Sequence, residues 1–354
     1  MHPFVHESLP GRVVFAAGAV NSLPAEVDRF TQPRVLLIAA EAERHLAARV
    51  ETLLGDRVVA VWRTVRQHVP TDLADDAAAA AAAAAANLLL SVGGGSTTGL
   101  AKAVALRTGL PVLAVPTTYA GSEMTPIWGQ TDKGTKTTGR DTAVLPRVVV
   151  YDPELTTGLP TAVTAASGMN ALAHCVEAAY APGASPVTTA QAMTAVEVLT
   201  DALPRAVDHP DDLDARSDAL YGAFLAGSVL ATAGISVHHH VCHVLGGLFD
   251  LPHAQMHAIV LPHATWAVAA ADPEALRALE RVLGADVPAR LFDLTARLGL
   301  PTALAAIGMQ DADIDIAVPR VLAATAGDPT PLTPATARRL LHAAVGGTRP
   351  DKSR

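Results

Sequence analysis

The chain has 354 residues, half of them apolar and only 4% aromatic, and a formal net charge of −8. That length suits about two domains, and its scattered Lys and Arg exclude the basic footprint of a nucleic-acid binder. Two cysteines, Cys175 and Cys242, make no disulfide framework and fit a reducing cytoplasm. The start, MHPFVHESLPGRVVF, has no basic segment followed by an apolar run, so no signal peptide is expected. Residues 77–90 are mostly alanine, interrupted by Asn87, and too weakly apolar to span a membrane.

The first half alternates short β-branched runs with helical stretches. Residues 12–16 (RVVFA), 34–38 (RVLLI) and 57–62 (RVVAVW) read as strands, and Thr71 with Asp72 starts a helix carrying ten consecutive alanines at 77–86. Alanine is the best helix former, so that run needs no functional explanation. Residues 87–92 (NLLLSV) and 110–115 (LPVLAV) are further strands, with a helix through about Leu106 between them. This alternation predicts a parallel sheet covered on both faces. Short strands near 127–130, 136–138 and 147–151 follow, joined by polar turns, and from about Pro160 the pattern is helical throughout. The expected organisation is an α/β domain over residues 1–157, an all-helical domain over 158–354, and a frayed tail at 347–354.

Gly93, Gly94, Gly95 and Ser96 follow a buried-type strand and open a helix. Glycine lets a phosphate approach the backbone, and a helix N-terminus presents amides with partial positive charge. Ser96, Thr97 and Thr98 add hydroxyl donors, while Lys102, further along that helix, reads as a surface charge. The pattern is neither GxGxxG nor a P-loop lysine motif, and a tight strand-to-helix turn uses glycine anyway. A second loop, residues 116–123 (PTTYAGSE), leaves the next strand at the same carboxyl edge, where open α/β sheets bind ligands.

Half of the fourteen histidines lie within residues 234–263: His238, His239, His240, His243, His253, His257 and His263. His239 and His243 stand four apart and share a helix face. Gly246 and Gly247 allow close packing or a break, and a helical pattern restarts near His253 after Pro252. Imidazole suits both metal ligation and proton transfer near neutrality. Any one of these histidines reads alone as a core-satisfied or solvated group; the paired constellation beside an apolar helix points to a site. Asn170 and His174 are also four apart, with Ser167 as the expected N-cap of their helix. With His239 and His253 they form a polar set able to meet in a cleft between domains. An aspartate at 170 would complete a divalent-metal site of one carboxylate and three imidazoles. Asparagine is neutral, and charge compensation for a dication is missing.

GGGSTTGLAKA, PTTYAGSEMTPIWG, SGMNALAHCVEA and HHHVCHVLGGLFDLPHAQMHAIVLPH, in that order, resemble the iron-containing alcohol dehydrogenase superfamily, and within it the maleylacetate reductase branch. The resemblance implies an α/β dinucleotide-binding domain, a parallel sheet flanked by helices, followed by an all-α catalytic domain. This is dehydroquinate synthase-like architecture, with the active site between the domains, NADH or NADPH as cofactor, and a homodimer. The family's metal positions fall on Asn170, His174, His239 and His253. Asparagine is the branch's familiar occupant of the first position, which implies a site working without metal; if one binds, His174, His239 and His253 are its ligands. His243 matches the histidine near the nicotinamide. Gly93, Gly94, Gly95, Ser96, Thr117, Thr118 and Ser122 match pyrophosphate and nicotinamide contacts, with Thr97 beside them. Residues 324–335 (ATAGDPTPLTPA) depart from the branch by lacking an aromatic and an arginine, and residues 63–70 (RTVRQHVP) are unusually basic. The sequence Ala39-Ala40-Glu41 after the second strand leaves NADH and NADPH both open.

The implied reaction is NAD(P)H-dependent reduction of the alkene of maleylacetate, or a close analogue, to 3-oxoadipate in aromatic-compound degradation in the cytoplasm. The implied partner is a small dicarboxylate, with neither nucleic acid nor membrane. Hydride delivery β to the ketone places charge on the ketone oxygen, which needs hydrogen-bond donors there and a proton for the adjacent carbon. His243, His253 and His239 are the candidates, with His174 and Asn170 completing the polar set. Lys136 and Arg140, in KGTKTTGRD, are candidate partners for the substrate carboxylates, with a merely charged turn as the equal alternative. Competing readings are a metal-dependent alcohol or polyol dehydrogenase, which Asn170 disfavours, and a lyase of the dehydroquinate synthase type, which needs a carboxylate in the metal site. A redox-inactive or repurposed member in a biosynthetic pathway is the third.

Overall fold

The computed structural model describes Phe4, His6, Ser8, Leu9, residues 11–132 and residues 135–351. The chain divides into two compact units, Leu9–Leu159 and Pro160–Arg354, the latter joined by the described residues ahead of Leu9. Among those, His6 Nδ1 lies 3.1 Å from Ser185 Oγ. Residues 352–354 of the expected frayed tail lie outside the described residues. Arg349, earlier in that tail, is held in place, its guanidinium donating twice to Asp293 at 2.7 Å.

Among the described residues, the first unit holds eight strands: β1 (Arg12–Phe15), β2 (Val35–Ile38), β3 (Val58–Trp62), β4 (Leu88–Gly93), β5 (Val112–Pro116), β6 (Ile127–Asp132), β7 (Thr135–Arg140) and β8 (Val148–Tyr151). Six form a parallel sheet in the order β1-β8-β5-β4-β2-β3. Every residue of β2, β4, β5 and β8 is buried. Apolar side chains line both faces of these strands, which is why their sequences run apolar rather than alternate. Helices α1 (Leu23–Val27) and α2 (Arg44–Leu54) pack with Leu37, Leu90 and Val115 on one face. Helices α3 (Thr71–Ala83) and α4 (Gly95–Thr108) pack with Leu36, Ile38 and Leu89 on the other. The chain therefore leaves neighbouring strands β2 and β4 toward opposite faces, the switch point at which open α/β sheets leave a ligand crevice at the carboxyl edge. β6 and β7 form a separate antiparallel hairpin.

The alanine helix stops short of Ala86. Ala85 turns left-handed at φ 49°, and the Arg34 guanidinium takes up the carbonyls of Ala84 and Ala85, both at 2.8 Å. Side-chain donors on orphan carbonyls end a helix as a glycine cap would.

The second unit is helical: α5 (Thr161–Glu177), α6 (Pro186–Asp208), α7 (Leu213–Ala233), α8 (Val237–Phe249), α9 (His253–Ala271), α10 (Arg277–Leu283), α11 (Val287–Arg297), α12 (Ile314–Thr325) and α13 (Pro334–Gly346). One expectation is corrected here: Ser167 is not an N-cap, because α5 begins six residues earlier, behind Pro160, and Ser167 Oγ donates to the Val163 carbonyl at 2.6 Å in mid-helix. Of the two readings of Gly246 and Gly247, close packing holds at Gly246, where a Cβ would fall 3.3 Å from Met256, and α8 runs unbroken through both to Asp250, left-handed at φ 50°. Glycine sets interhelical distance in α5 and α7 too: a Cβ on Gly168 would fall 2.2 Å from Leu203, and one on Gly222 would fall 2.6 Å from Leu199. Among the described residues no single helix is long and apolar enough to cross a membrane.

Gly168→Ala is expected to destabilise by about 1–3 kcal/mol, since overpacking forces Leu203 aside. Gly247, where nothing lies within 4 Å of the position a Cβ would take, is the control. Gly247→Ala is expected to be neutral or to stabilise by up to about 1 kcal/mol through helix propensity. Urea melts of both variants check the contrast.

Candidate functional site

The α/β unit places the glycine loop at its switch point. Gly93 sits at φ 147°, where a Cβ would lie 2.6 Å from Thr97 Oγ1. Cβ atoms on Gly94 and Gly95 would lie 3.0 Å from Thr118 and 3.1 Å from Ala120. The glycines thus let the second loop pack on the first, besides leaving room for a ligand. Gly94 caps α4 without any side-chain hydrogen bond, so the leading amides of that helix are presented as an anion site. Ser96 is half-buried at this end, while Thr97 and Thr98 are only 3% and 1% exposed, their hydroxyls turned inward. Thr117 N–H donates to the Gly93 carbonyl at 3.2 Å.

Lys102 is not a surface charge. It is 1% exposed, and its ammonium donates to the carbonyls of Ser122 at 2.5 Å, Thr125 at 2.7 Å and Ile127 at 2.9 Å. One side chain on α4 therefore pins the loop that carries Ser122. Burial pushes this amine down to about 7, with Glu123 opposing. The buried Glu123 carboxyl is itself raised by burial and accepts from Tyr151 OH at 2.7 Å. The acidic residue that meets these loops is Glu43, which accepts from Thr117 Oγ1 at 3.0 Å, whereas Glu41 is exposed. Lys136 and Arg140 share one face of β7, four residues and so roughly 13 Å apart.

The helical unit builds a layered histidine face from α5, α8 and α9. His243 and His253 are exposed, His174 and His239 are 6% and 4% exposed, and His238 and His257 are fully buried beneath them. The rings of His174 and His239 stack at 4.6 Å, and Asn170 Nδ2 lies 3.5 Å from His174 Nε2. His257 sits with its ring 4.3 Å from His253 and 4.9 Å from His239. Asn170, His174, His239, His243 and His253 are thus brought together as one group. His263, six residues beyond His257 on α9, is not among them; it lines a separate cavity of about 540 Å³ with Trp266, Arg339 and Arg349.

Sequence reasoning passed over the residues beneath this face. Glu177, fully buried at the end of α5, accepts from the backbone amides of Ser236 and His239, both at 3.1 Å, and pairs with His239 Nδ1. It caps the first turn of α8, where a carboxylate also meets the positive end of the helix dipole. Its place one turn after His174 on the same helix was the available signal. Asp328, in the atypical 324–335 segment, accepts from Ser236 Oγ at 3.4 Å and pairs with His240 Nδ1 at 2.9 Å. Burial pushes His239 down to about 3 and, first among several causes, lowers His174, His238 and His257. These imidazoles are neutral. Burial also raises Glu177 to about 7, against the two amides that favour its ionised form. Glu177 Oε1 thus accepts two peptide N–H groups, and Oε2 shares a hydrogen bond with His239 Nδ1. Among the described residues, Asn170 Oδ1, His174 Nδ1, His239 Nε2 and His257 Nε2 are buried without hydrogen-bond partners.

Residues 10–153 match the iron-containing alcohol dehydrogenase family, and residues 164–345 match its C-terminal part, described as Fe-containing alcohol dehydrogenase family, C-terminal. The chain belongs to the iron-containing alcohol dehydrogenase family. A maleylacetate reductase from Burkholderia cepacia is 46% identical over 351 residues, spanning 99% of this chain and 100% of that one. The crystal structure of maleylacetate reductase from Agrobacterium tumefaciens superposes with a TM-score of 0.94 at 42% identity, covering 99% of this chain and 100% of the other. That from Rhizobium sp. strain MTP-10005 gives 0.95 at 42%, with the same coverage. The resemblance drawn from the four motifs, and the α/β-plus-helical fold it implied, both hold. The chain is an oxidoreductase.

The family's iron invites a test of the donor set. His238, His239 and His257 bring ligand nitrogens within 4.8 Å of one another. Two of them, His238 Nε2 and His257 Nδ1, are 3.0 Å apart and hydrogen-bonded to each other, so one must be an N–H. The carried-over set of Asn170, His174, His239 and His253 is neutral throughout, and the nearest carboxylate, Glu177, is spent on His239 Nδ1 and two amides. A buried dication wants an anionic ligand. The residues present do not provide one, so the fit is poor.

Lys102→Met is expected to lower the melting temperature and to open residues 121–127 to limited proteolysis, since the Ser122, Thr125 and Ile127 carbonyls lose a donor, at about 1–3 kcal/mol for each group left buried and unpaired. Wild-type melting and cleavage would show that the loop is held by other contacts.

Proposed function

We propose that this family member reduces the alkene of maleylacetate, or of a closely related unsaturated oxo-dicarboxylate, to 3-oxoadipate, with NADH as the hydride source, in the cytoplasmic degradation of aromatic compounds. The observation that carries this reading is the end-to-end identity of 46% with a maleylacetate reductase. The chemistry of the histidine face agrees with it. We further propose a homodimer.

The cofactor fits the α/β unit. The amides leading α4, with Gly93, Gly94, Gly95 and Ser96, would hold the pyrophosphate, and Thr117, Thr118 and Ser122 the groups beyond it. When bound, NADH supplies the hydride. Glu43, following β2 and engaged by Thr117, favours a ribose hydroxyl over a 2′-phosphate, which selects NADH over NADPH.

On the helical unit, reduction next to a ketone demands donors for the forming enolate and a proton for its carbon. His243 and His253 are the exposed imidazoles of the face and take these roles. His174 and Asn170 shape the floor. Lys136 and Arg140, on one face of β7, are the cationic candidates for the carboxylates of a dicarboxylate substrate. No step passes through a metal, because the set Asn170, His174, His239 and His253 carries no anionic ligand.

Two assays test this reading. In the first, NADH and NADPH oxidation is followed with maleylacetate, substituted maleylacetates and simple aldehydes, before and after exhaustive chelation. The expected result is NADH oxidation with maleylacetate that survives chelation. Turnover of aldehydes alone, lost on chelation and restored by one metal, would make the chain a metal-dependent alcohol dehydrogenase instead. In the second, His243→Ala is expected to lose about 10²–10⁴-fold in kcat, the range for a proton-transfer group, with NADH affinity retained by fluorescence titration.

A further inference from the structure

We propose that Lys102 is a positioning residue for the cofactor: its ammonium acts as a tethered monovalent cation that holds the loop after β5 in the shape that binds NADH. The inference deepens the reductase reading and rests on it for its cofactor arm only. Five oxygens of one short stretch surround Nζ. They are the Ser122 carbonyl at 2.5 Å and Oγ at 3.3 Å, the Thr125 carbonyl at 2.7 Å and Oγ1 at 3.0 Å, and the Ile127 carbonyl at 2.9 Å. Backbone carbonyls gathered in this way replace the hydration shell of a monovalent ion. Here the ion is attached to α4 through a buried four-carbon stem, the whole residue being 1% exposed. The oxygens all come from residues 122–127, which have little regular structure of their own: one 3-10 turn over Ser122–Met124, then the start of β6 at Ile127. The cation therefore ties this bend to the helix whose first turn carries the phosphate loop.

The place of the cage gives it a role beyond packing. Ser122 is the last of the loop residues assigned above to the cofactor, after Thr117 and Thr118, and it is the first residue of the cage. An ammonium only donates, so Ser122 Oγ receives from Nζ and keeps its own O–H for an acceptor outside the cage. Carbonyl oxygens cannot satisfy one another. Without the cation, those of Ser122, Thr125 and Ile127 are drawn toward water, and the loop spreads over other shapes. A ligand that binds one shape loses affinity in proportion to the fraction of molecules that hold it. Loss of the cation thus falls on NADH binding. The histidine face belongs to the other unit and takes no direct part in it.

Lys102→Ala empties the space of Cγ, Cδ, Cε and Nζ, which propylammonium matches atom for atom. Propanol has nearly the same shape without the charge and is the control. The first measurement is NADH affinity by fluorescence titration. The Kd of Lys102→Ala is expected to rise about 10–100-fold, the range for a buried acceptor left unpaired. Propylammonium is expected to restore it and propanol is not, with the wild type indifferent to both. Lys102→Met fills the space with an uncharged side chain and keeps the question open to test if the alanine variant fails to fold. Its Kd is expected to rise alike and to ignore propylammonium. In turnover with maleylacetate, the loss is expected in KM for NADH, with kcat changed far less. Wild-type NADH affinity in both variants overturns the proposal. So does a rescue by propanol equal to that by propylammonium, or a fall in kcat with KM unchanged. Limited proteolysis reads the cage separately: cleavage within residues 121–127 is expected to open in Lys102→Ala and close again with propylammonium. A wild type that binds no NADH would sink the reductase reading, while the cleavage pattern would still decide the cage.

Discussion

The buried carboxylate of Glu177 is the interaction on which the histidine face depends. It ends α5, caps the first turn of α8 and holds His239 through both ring and amide. A carboxylate in so dry a place is costly unless its lone pairs are filled. Here two peptide N–H groups, the hydrogen bond with His239 Nδ1 and the positive end of a helix share that task. Asp328 grips the same turn from the other side through Ser236 and His240, so the loop before α13 is tied to the histidine helix. The two acids explain how a helix with three consecutive histidines in its first turn is kept in one orientation.

Neutrality is the second organising constraint. Stacking several imidazoles at 4–5 Å would be prohibitive if they were charged, and burial removes the charge. His243 and His253 are the exposed members of the face.

Much of the fold was legible because it rests on short-range rules. Apolar runs such as VLLI and LLLSV announce strands covered on both faces, and the glycines after β4 announce a tight turn into a helix. The helical half was readable from its lack of strand signals. What sequence could not show were groups whose roles depend on a distant partner. Lys102 looks like any solvent-facing lysine until three carbonyls from the loop after β5 close around it. Glu177 lies inside the SGMNALAHCVEA motif one turn after His174, yet its hydrogen-bond partners sit sixty residues on, beyond the reach of helical spacing. Glu41 drew notice as the first acid after β2, but the short turn there points Glu43 at Thr117. Ser167 had the composition of a cap, but Pro160 already fixed where the helix begins.

The close approach of Gly94 to Thr118 and of Gly95 to Ala120 has a consequence for redesign. The phosphate loop and the loop after β5 interlock, with Lys102 as the bolt behind them. A graft that exchanges the first loop alone, to change cofactor preference or to import a different turn, brings side chains or spacing that its neighbour has no room to absorb. The exchangeable module runs from the end of β4 to about Ile127, and evolution is obliged to vary its two loops in concert.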